Sequence, residues 1–262
     1  MVRSRKRSDK VKIRDVFLLK KIDLIKSEHP YWGYRRVWAY MKYMNKESFA
    51  MARIYRIMKE NNLLCTKNNR LRAKRTPHYP SKPKATKRNE VWGTDMTKIK
   101  TSLGWLHIHI VLDWYTKKIV GYYMSDRSKT EDWLQSLHMA INRQFPNGYR
   151  TKIRPLQLVS DNGCQPTSRA FMKACSQMGI KQLFTSFNNP KGNAETERVI
   201  RTLKEEISWP NEWDNGFSAS SKAVRAIKKY NEDYPHSVIN YFTPNAFDNL
   251  CKQKDLYSRS CA

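Results

Sequence analysis

"VWGTDMTKIKTSLGWLHIHIVLDWYTKKIVGYYM", residues 91–124, decides the fold. Residues 105–112 put Leu106, Ile108, Ile110 and Leu112 on one face, the period-two alternation of a strand with one side in a core. Segments 91–100 and 118–124 read the same way, so the three make a meander. Beyond them, 155–160 and 180–185 read as strands, and 130–145, 168–177 and 195–209 as helices. A meander followed by alternating helices and strands predicts an α/β fold, a mixed sheet with helices on its faces. Within the first strand stands Asp95. Aspartate is depleted from strands and its buried charge is costly unless compensated, so a basic partner or a metal is expected beside it.

Ahead of the sheet the pattern is helical. Segments 11–25, 33–44 and 49–64 carry apolar residues at helical spacing, with breaks at His29-Pro30 and Asn45-Lys46. Ser48 is the expected N-cap of the third helix, whose Arg53, Arg56 and Lys59 alternate with its apolar face. That geometry suits a helix lying on phosphates. Composition agrees: 50 Lys+Arg against 23 Asp+Glu gives the 262-residue chain a net charge of +27. Residues 1–90 hold 26 of those basic groups against 7 acidic ones. A polyanion, by default nucleic acid, is the expected partner.

Residues 66–90 hold nine basic side chains, one acid and three prolines without periodicity, which predicts a linker. The expected division is therefore a helical DNA-binding domain at 1–65, a basic linker at 66–90, a mixed α/β core at 91–209 and a helical extension at 210–262. No stretch approaches the ~18 apolar residues of a spanning helix, and residues 1–15 are too polar for a signal peptide. A soluble, intracellular chain is expected, with no membrane partner. The five cysteines are scattered, and none pairs at C-x-x-C spacing.

Two further acids belong beside Asp95. Asp161, in "LVSDNGCQPTS", closes a strand, where open α/β sheets place ligands. Asn162-Gly163 supplies a turn, so Asp161 serves either that turn or a bound group. Glu197 lies in "GNAETERVIRTLKEE". On a helix there, Val199, Ile200, Leu203 and Ile207 form the apolar stripe, whereas Glu197, Arg201 and Lys204 share an adjacent face. Glu195 is the competing third acid, about 200° around the helix. Oxygen-only donors suit Mg²⁺ or Mn²⁺, and two such ions can drive in-line phosphodiester displacement. His107 and His109 share a strand face without a third ligand and read as structural, Asp113 as a turn or helix-orienting acid, and His236 as a local hydrogen-bonding group.

Thirty-five residues separate Asp161 from Glu197. With Asp95, this resembles the Asp, Asp, thirty-five, Glu signature of transposases and retroviral integrases. "VWGTDMTKI", "VLDWYTKKIVGY", "LVSDNGCQPTS" and "GNAETERVIRTLKEE" are similar to the core of bacterial insertion-sequence transposases. The match is to the downstream reading-frame product of the insertion-sequence-three family. "HPYWGYRRVWAYM" and "RIYRIMKENNLL" resemble the helical domain before that core, and "YNEDYPHSVINYFTPNAF" resembles its ending. Gly192 departs from the pattern, standing where many relatives place an aspartate.

The resemblance implies a ribonuclease-H-like five-stranded mixed sheet with flanking helices, preceded by a small all-α domain of helix-turn-helix type. It also implies metal-dependent DNA cleavage and strand transfer, with Asp95, Asp161 and Glu197 as catalytic acids holding two Mg²⁺ ions, or Mn²⁺ in their place. Arg35, Arg36, Arg53, Arg56, Arg201 and Lys204 are the expected DNA contacts. Expected partners are transposon ends, target DNA, further copies of the chain and an upstream-frame product or fusion, in the bacterial cytoplasm at the nucleoid. The alternative is an inactive or regulatory DNA-binding fragment lacking the upstream-frame segment.

Overall fold

The computed structural model describes residues 8–65, 83–149, 155–185, 192–207 and 212–260. Most of the expected linker, 66–82, lies outside them. The chain divides into two compact units, Met1–Arg75 with Pro235–Phe242, and Thr76–Tyr234 with Thr243–Ala262. Residues 235–242, expected with the C-terminal extension, group with the helical unit instead.

The first unit holds α1 (Asp9–Glu28), α2 (Tyr34–Ala39), continued as one wide π turn (Tyr40–Met44), and α3 (Met51–Glu60). α1 stops where His29 donates its N–H to the Ile25 carbonyl and Pro30 follows, because proline restrains the residue before it from helix. Leu18, Ile22, Trp32, Val37, Met41, Ile54 and Met58 are fully or almost fully buried. Ile54, Ile57 and Met58 recur at helical spacing, which turns that stripe of α3 inward. The N-cap of α3 is Ala50, not Ser48. The first helical bonds, from Arg53 and Ile54, close on the Ala50 carbonyl, leaving Ser48 outside the turn it was expected to cap. Within the same unit, the 235–242 turn puts Asn240 and Tyr241 at φ 54° and 62°. Tyr241 stacks on Tyr43 with ring centroids 6.0 Å apart and meets Trp38 edge-on at 5.4 Å.

The second unit is built on β1 (Val91–Thr101), β2 (Gly104–Asp113), β3 (Ile119–Ser125), β4 (Gln157–Ser160) and β5 (Lys181–Phe184). Their order in one sheet is β3-β2-β1-β4-β5. β1, β2 and β3 pair antiparallel, with Asp95 opposite Ile110, whereas β4 lies parallel to β1, with Val159 opposite Gly93, and β5 parallel to β4. This is the ribonuclease-H-like arrangement: a meander whose first strand, central in the sheet, pairs with the parallel strands.

Helices α4 (Thr130–Gln144), α5 (Arg169–Gln177), α6 (Ala194–Ile207), α7 (Gly216–Asp233) and α8 (Pro244–Ser260) complete the unit. Trp92, Val111, Trp133, Leu137, Leu158 and Phe171 share a buried core, so even-numbered residues of β1 face α4 and α5. Odd-numbered β1 residues face α6, as Gly93 shows below. Asp113 takes the orienting role read from the sequence. It is buried and accepts N–H groups from Asn89, Tyr115 and Thr116 at 2.7, 2.8 and 3.3 Å.

Candidate active site

β1 and β4 run side by side and parallel only as far as Gly93 and Val159, so Asp95 and Asp161 emerge at the end of that short pairing. Asp95 is part-buried, and one of its carboxylate oxygens accepts the Met96 N–H at 2.7 Å. Asp161 is exposed just past β4, and its Oδ1 accepts the Gly163 N–H at 3.1 Å. The Asn162 side chain donates to the Thr185 carbonyl, tying this turn to the end of β5. Asn162-Gly163 thus forms the turn, while Asp161 stands exposed just past the end of β4.

Glu197 is delivered by α6, and the seat of that helix is specific. Asn193 is buried and donates from Nδ2 to the Thr94 carbonyl at 3.2 Å, one residue from Asp95. Trp114 Nε1–H donates to Thr196 Oγ1 at 3.1 Å. Both groups crowd Gly93, where a Cβ would lie 2.0 Å from Thr196 Oγ1 and 2.3 Å from Trp114 Nε1. Only glycine allows the strand and helix to approach this closely. Val199, Ile200, Leu203 and Ile207 are buried as the stripe requires, and Glu197 is exposed on the adjacent face.

The competing acid is engaged elsewhere. Lys117, buried and at φ 62°, donates to Glu195 at 2.9 Å and to the Trp114 carbonyl at 2.6 Å. Glu195 therefore anchors the start of α6 to the loop before β3. This pair, with Asn193, Thr196 and Gly93, is a layer of the site that the reading of motifs passed over. A glycine two residues before an acid in mid-strand was the available signal.

Electrostatics ties the three acids together. Burial pushes Asp95 up to about 7, and the negative charges of Asp161 and Glu197 push the same way, while the Met96 N–H and Lys204 pull back. Asp95, raised by burial and by the charges of Asp161 and Glu197, thus has oxygen donors for neighbours, the kind a hard divalent cation takes. Among the described residues no three His, Cys, Asp or Glu side chains stand close enough to hold one ion. Asp95, Asp161 and Glu197 are thus within electrostatic range, with Asp95 and Asp161 each leaning on a neighbouring backbone N–H.

Of the six expected DNA contacts, Lys204 alone registers at Asp95. Arg201 is largely exposed and pairs with Glu205 at 3.2 Å. In the helical unit, Arg53 and Arg56 both bind Asp15, at 2.9 and 2.8 Å. Arg35 is exposed, its guanidinium 5.6 Å from the Tyr34 ring centroid, and Arg36 lies 5.9 Å from that of Trp32. His109 is fully buried, bonds Ser128 at 3.2 Å and meets Trp133 edge-on, a structural role.

Residues 85–190 and 178–244 each match a family described as Integrase core domain, and residues 12–70 match an HTH-like domain. By these matches and the relatives below, the chain is similar to the DDE transposases and integrases. It is 32% identical over 171 residues to the transposase for insertion sequence element IS904 of Lactococcus lactis subsp. lactis (strain IL1403). That alignment spans 63% of this chain and 63% of that protein, under two thirds of its length. Transposase InsD for insertion element IS2A/D/F/H/I/K of Escherichia coli is 23% identical over 239 residues, 89% of this chain and 78% of that one. Among solved structures, the simian T-cell lymphotropic virus intasome in complex with PP2A regulatory subunit B56 gamma contains a chain similar at TM-score 0.49 and 17% identity, covering 80% of this chain and 68% of its own. The HTLV-2 integrase catalytic core domain in complex with magnesium gives TM-score 0.46 at 17% identity, over 62% of this chain and 97% of its own.

Proposed function

We propose that the chain is a Mg²⁺-dependent DNA transposase that cleaves at the ends of an insertion sequence and joins the freed 3′-hydroxyl to target DNA. One observation carries this reading: Asp95, set in mid-strand, is raised to about 7 by burial and by the two acids nearest it in charge. Asp95, Asp161 and Glu197 would hold the ions, with Mn²⁺ able to substitute for Mg²⁺. Two bound ions would activate the attacking oxygen and stabilise the departing one in an in-line displacement.

The chain's own groups do the rest. Asn193, Thr196 and Glu195 hold α6 against the sheet, so Glu197 keeps its direction as DNA enters. Lys204 places a positive charge beside the acids, where a scissile phosphate would lie. Arg201 continues that face outward, and Arg35, Arg36, Arg53 and Arg56 would meet DNA from the helical unit. Arg53 and Arg56 both pair with Asp15, and Arg56 also pairs with Glu60 at 3.2 Å, so DNA would compete with these acids for the two guanidinium groups. Transposon ends and target DNA are the partners, with further copies of the chain and an upstream-frame fusion completing the active assembly in the bacterial cytoplasm, at the nucleoid. No helix among the described residues is long and apolar enough to cross a membrane.

The test is Asp161→Asn, assayed for DNA joining and for duplex binding. Joining should vanish and binding persist. Joining at the wild-type rate would remove Asp161 from the chemistry, and the proposed mechanism with it.

A further inference from the structure

Past Asp95, β1 and β2 run on as a hairpin, and its two faces are treated differently. Thr97, Ile99 and Thr101 are buried on the α6 side, where α7 lies against both strands. The opposite face carries Lys98 and Lys100, both exposed, with Trp105 directly across from Lys100 and 43% exposed. The two ammonium groups converge on one indole: Lys98 Nζ lies 4.4 Å and Lys100 Nζ 5.1 Å from the Trp105 ring centroid. Among the described residues no carboxylate pairs with either lysine. Like charges gathered on one ring repel, and cation–π attraction at an exposed site is weak and offsets this only in part. An anion bridging the pair would remove the repulsion.

We infer that the Lys98–Trp105–Lys100 face is a backbone-binding platform for duplex DNA on the side of the hairpin opposite Asp95. The inference rests on the proposed function and adds a second DNA surface to it. Charge complementarity selects the occupant. Lys98 and Lys100 lie two residues apart on one face of β1, roughly 7 Å at ~3.3 Å per strand residue. DNA places a phosphate every ~3.4 Å of axis on each strand, so a duplex lying along this face sets separate phosphates in front of the two lysines. Trp105 is a positioning residue. Its ring holds two long, otherwise mobile side chains at a fixed spacing.

The experiment titrates the full chain with a fluorescent 30-base-pair duplex in EDTA, so that no chemistry occurs, across 50–200 mM NaCl. Lys98→Gln/Lys100→Gln should make the plot of log affinity against log salt shallower by about 1.8, the release expected for two phosphate contacts. Lys98→Arg/Lys100→Arg should keep the wild-type slope. Trp105→Ala should weaken binding roughly fivefold at every salt concentration with the slope unchanged, and Trp105→Phe should restore it. An unchanged slope in the Gln variant with unaltered melting temperature overturns the platform, as does a changed slope in the Arg variant. Because the acids take no part in EDTA, a failure here leaves the catalytic reading standing. Joining by Asp161→Asn would sink that reading without altering the slope.

Discussion

Two buried or part-buried aspartates of the same unit are treated in opposite ways. Asp248, on α8, is 1% exposed and receives Arg88 at 2.9 Å, Lys118 at 2.9 Å and Lys252 at 3.0 Å. Burial alone would raise it, but Lys118, Arg88 and Lys252 outweigh burial and hold its carboxyl below the usual range. Asp95 is surrounded by further acids and rises to about 7. The chain has plenty of cations and spends three on Asp248, while Asp95 is drawn down by the charge of Lys204 without an ion pair to it. An acid neutralised from within is part of the scaffold, and one left among like charges is, on the proposed function, where a cation from solution would bind.

The contrast is broken most directly by neutralising each acid. Asp95→Asn should reduce DNA joining at least about a thousandfold, the loss of roughly 4 kcal/mol of transition-state stabilisation, while the melting temperature holds or rises as a source of repulsion disappears. Asp248→Asn should do the reverse. Joining assays at low temperature should change little, and urea unfolding should show a loss of about 3 kcal/mol, because three cations lose a buried partner. If Asp95→Asn destabilises as much as Asp248→Asn, the distinction between the two acids fails.

A third buried group separates acid effects on the scaffold from those on the site. Burial lowers His109 to about 4, His107 pushes it further down, and Asp132 and the Tyr123 backbone pull it back. Neutral in the fold and protonated in the unfolded chain, it makes the unfolded state bind more protons between about 6.5 and about 4. Stability should therefore fall as pH drops through that window, by roughly 2–3 kcal/mol from this residue. Urea titrations at pH 6.5 and 4.5 should show a smaller difference in His109→Gln. An equal difference would assign the acid sensitivity elsewhere. The smallest effect sharpens the comparison from the cation side. Mg²⁺ at about ten times its dissociation constant should stabilise the wild type by about 1.4 kcal/mol, seen as a rise in melting temperature. Asp248→Asn should keep that increment and Asp95→Asn should lose it.

Much of this was legible in the chain. Leu106, Ile108, Ile110 and Leu112 alternate and are all buried, and Asp95 stood out because strands exclude aspartate. The stripe of Val199, Ile200, Leu203 and Ile207 set the rotation of α6, and so the direction of Glu197. Pairings across long sequence separations were not legible. Nothing local to Arg53 or Arg56 says that Asp15, about forty residues upstream, will claim both. Lys117 and Glu195 are 78 residues apart, so the engagement of the competing acid required the fold. Ser48 failed as a cap for a different reason: an extended stretch through Ala50 delays the first turn, and propensity yields to that path.

The bond from Asn193 to the Thr94 carbonyl has a metric consequence. The origin of α6 is gauged against the residue next to the first acid, not against the end of β5. The interval from β5 to α6 can therefore lengthen or shorten among related chains without detuning the gap between the outer two carboxylates. A one-residue slip of the helix on its seat would swing Glu197 through about 100°. Tolerance for insertion and intolerance for slippage thus meet at a single amide.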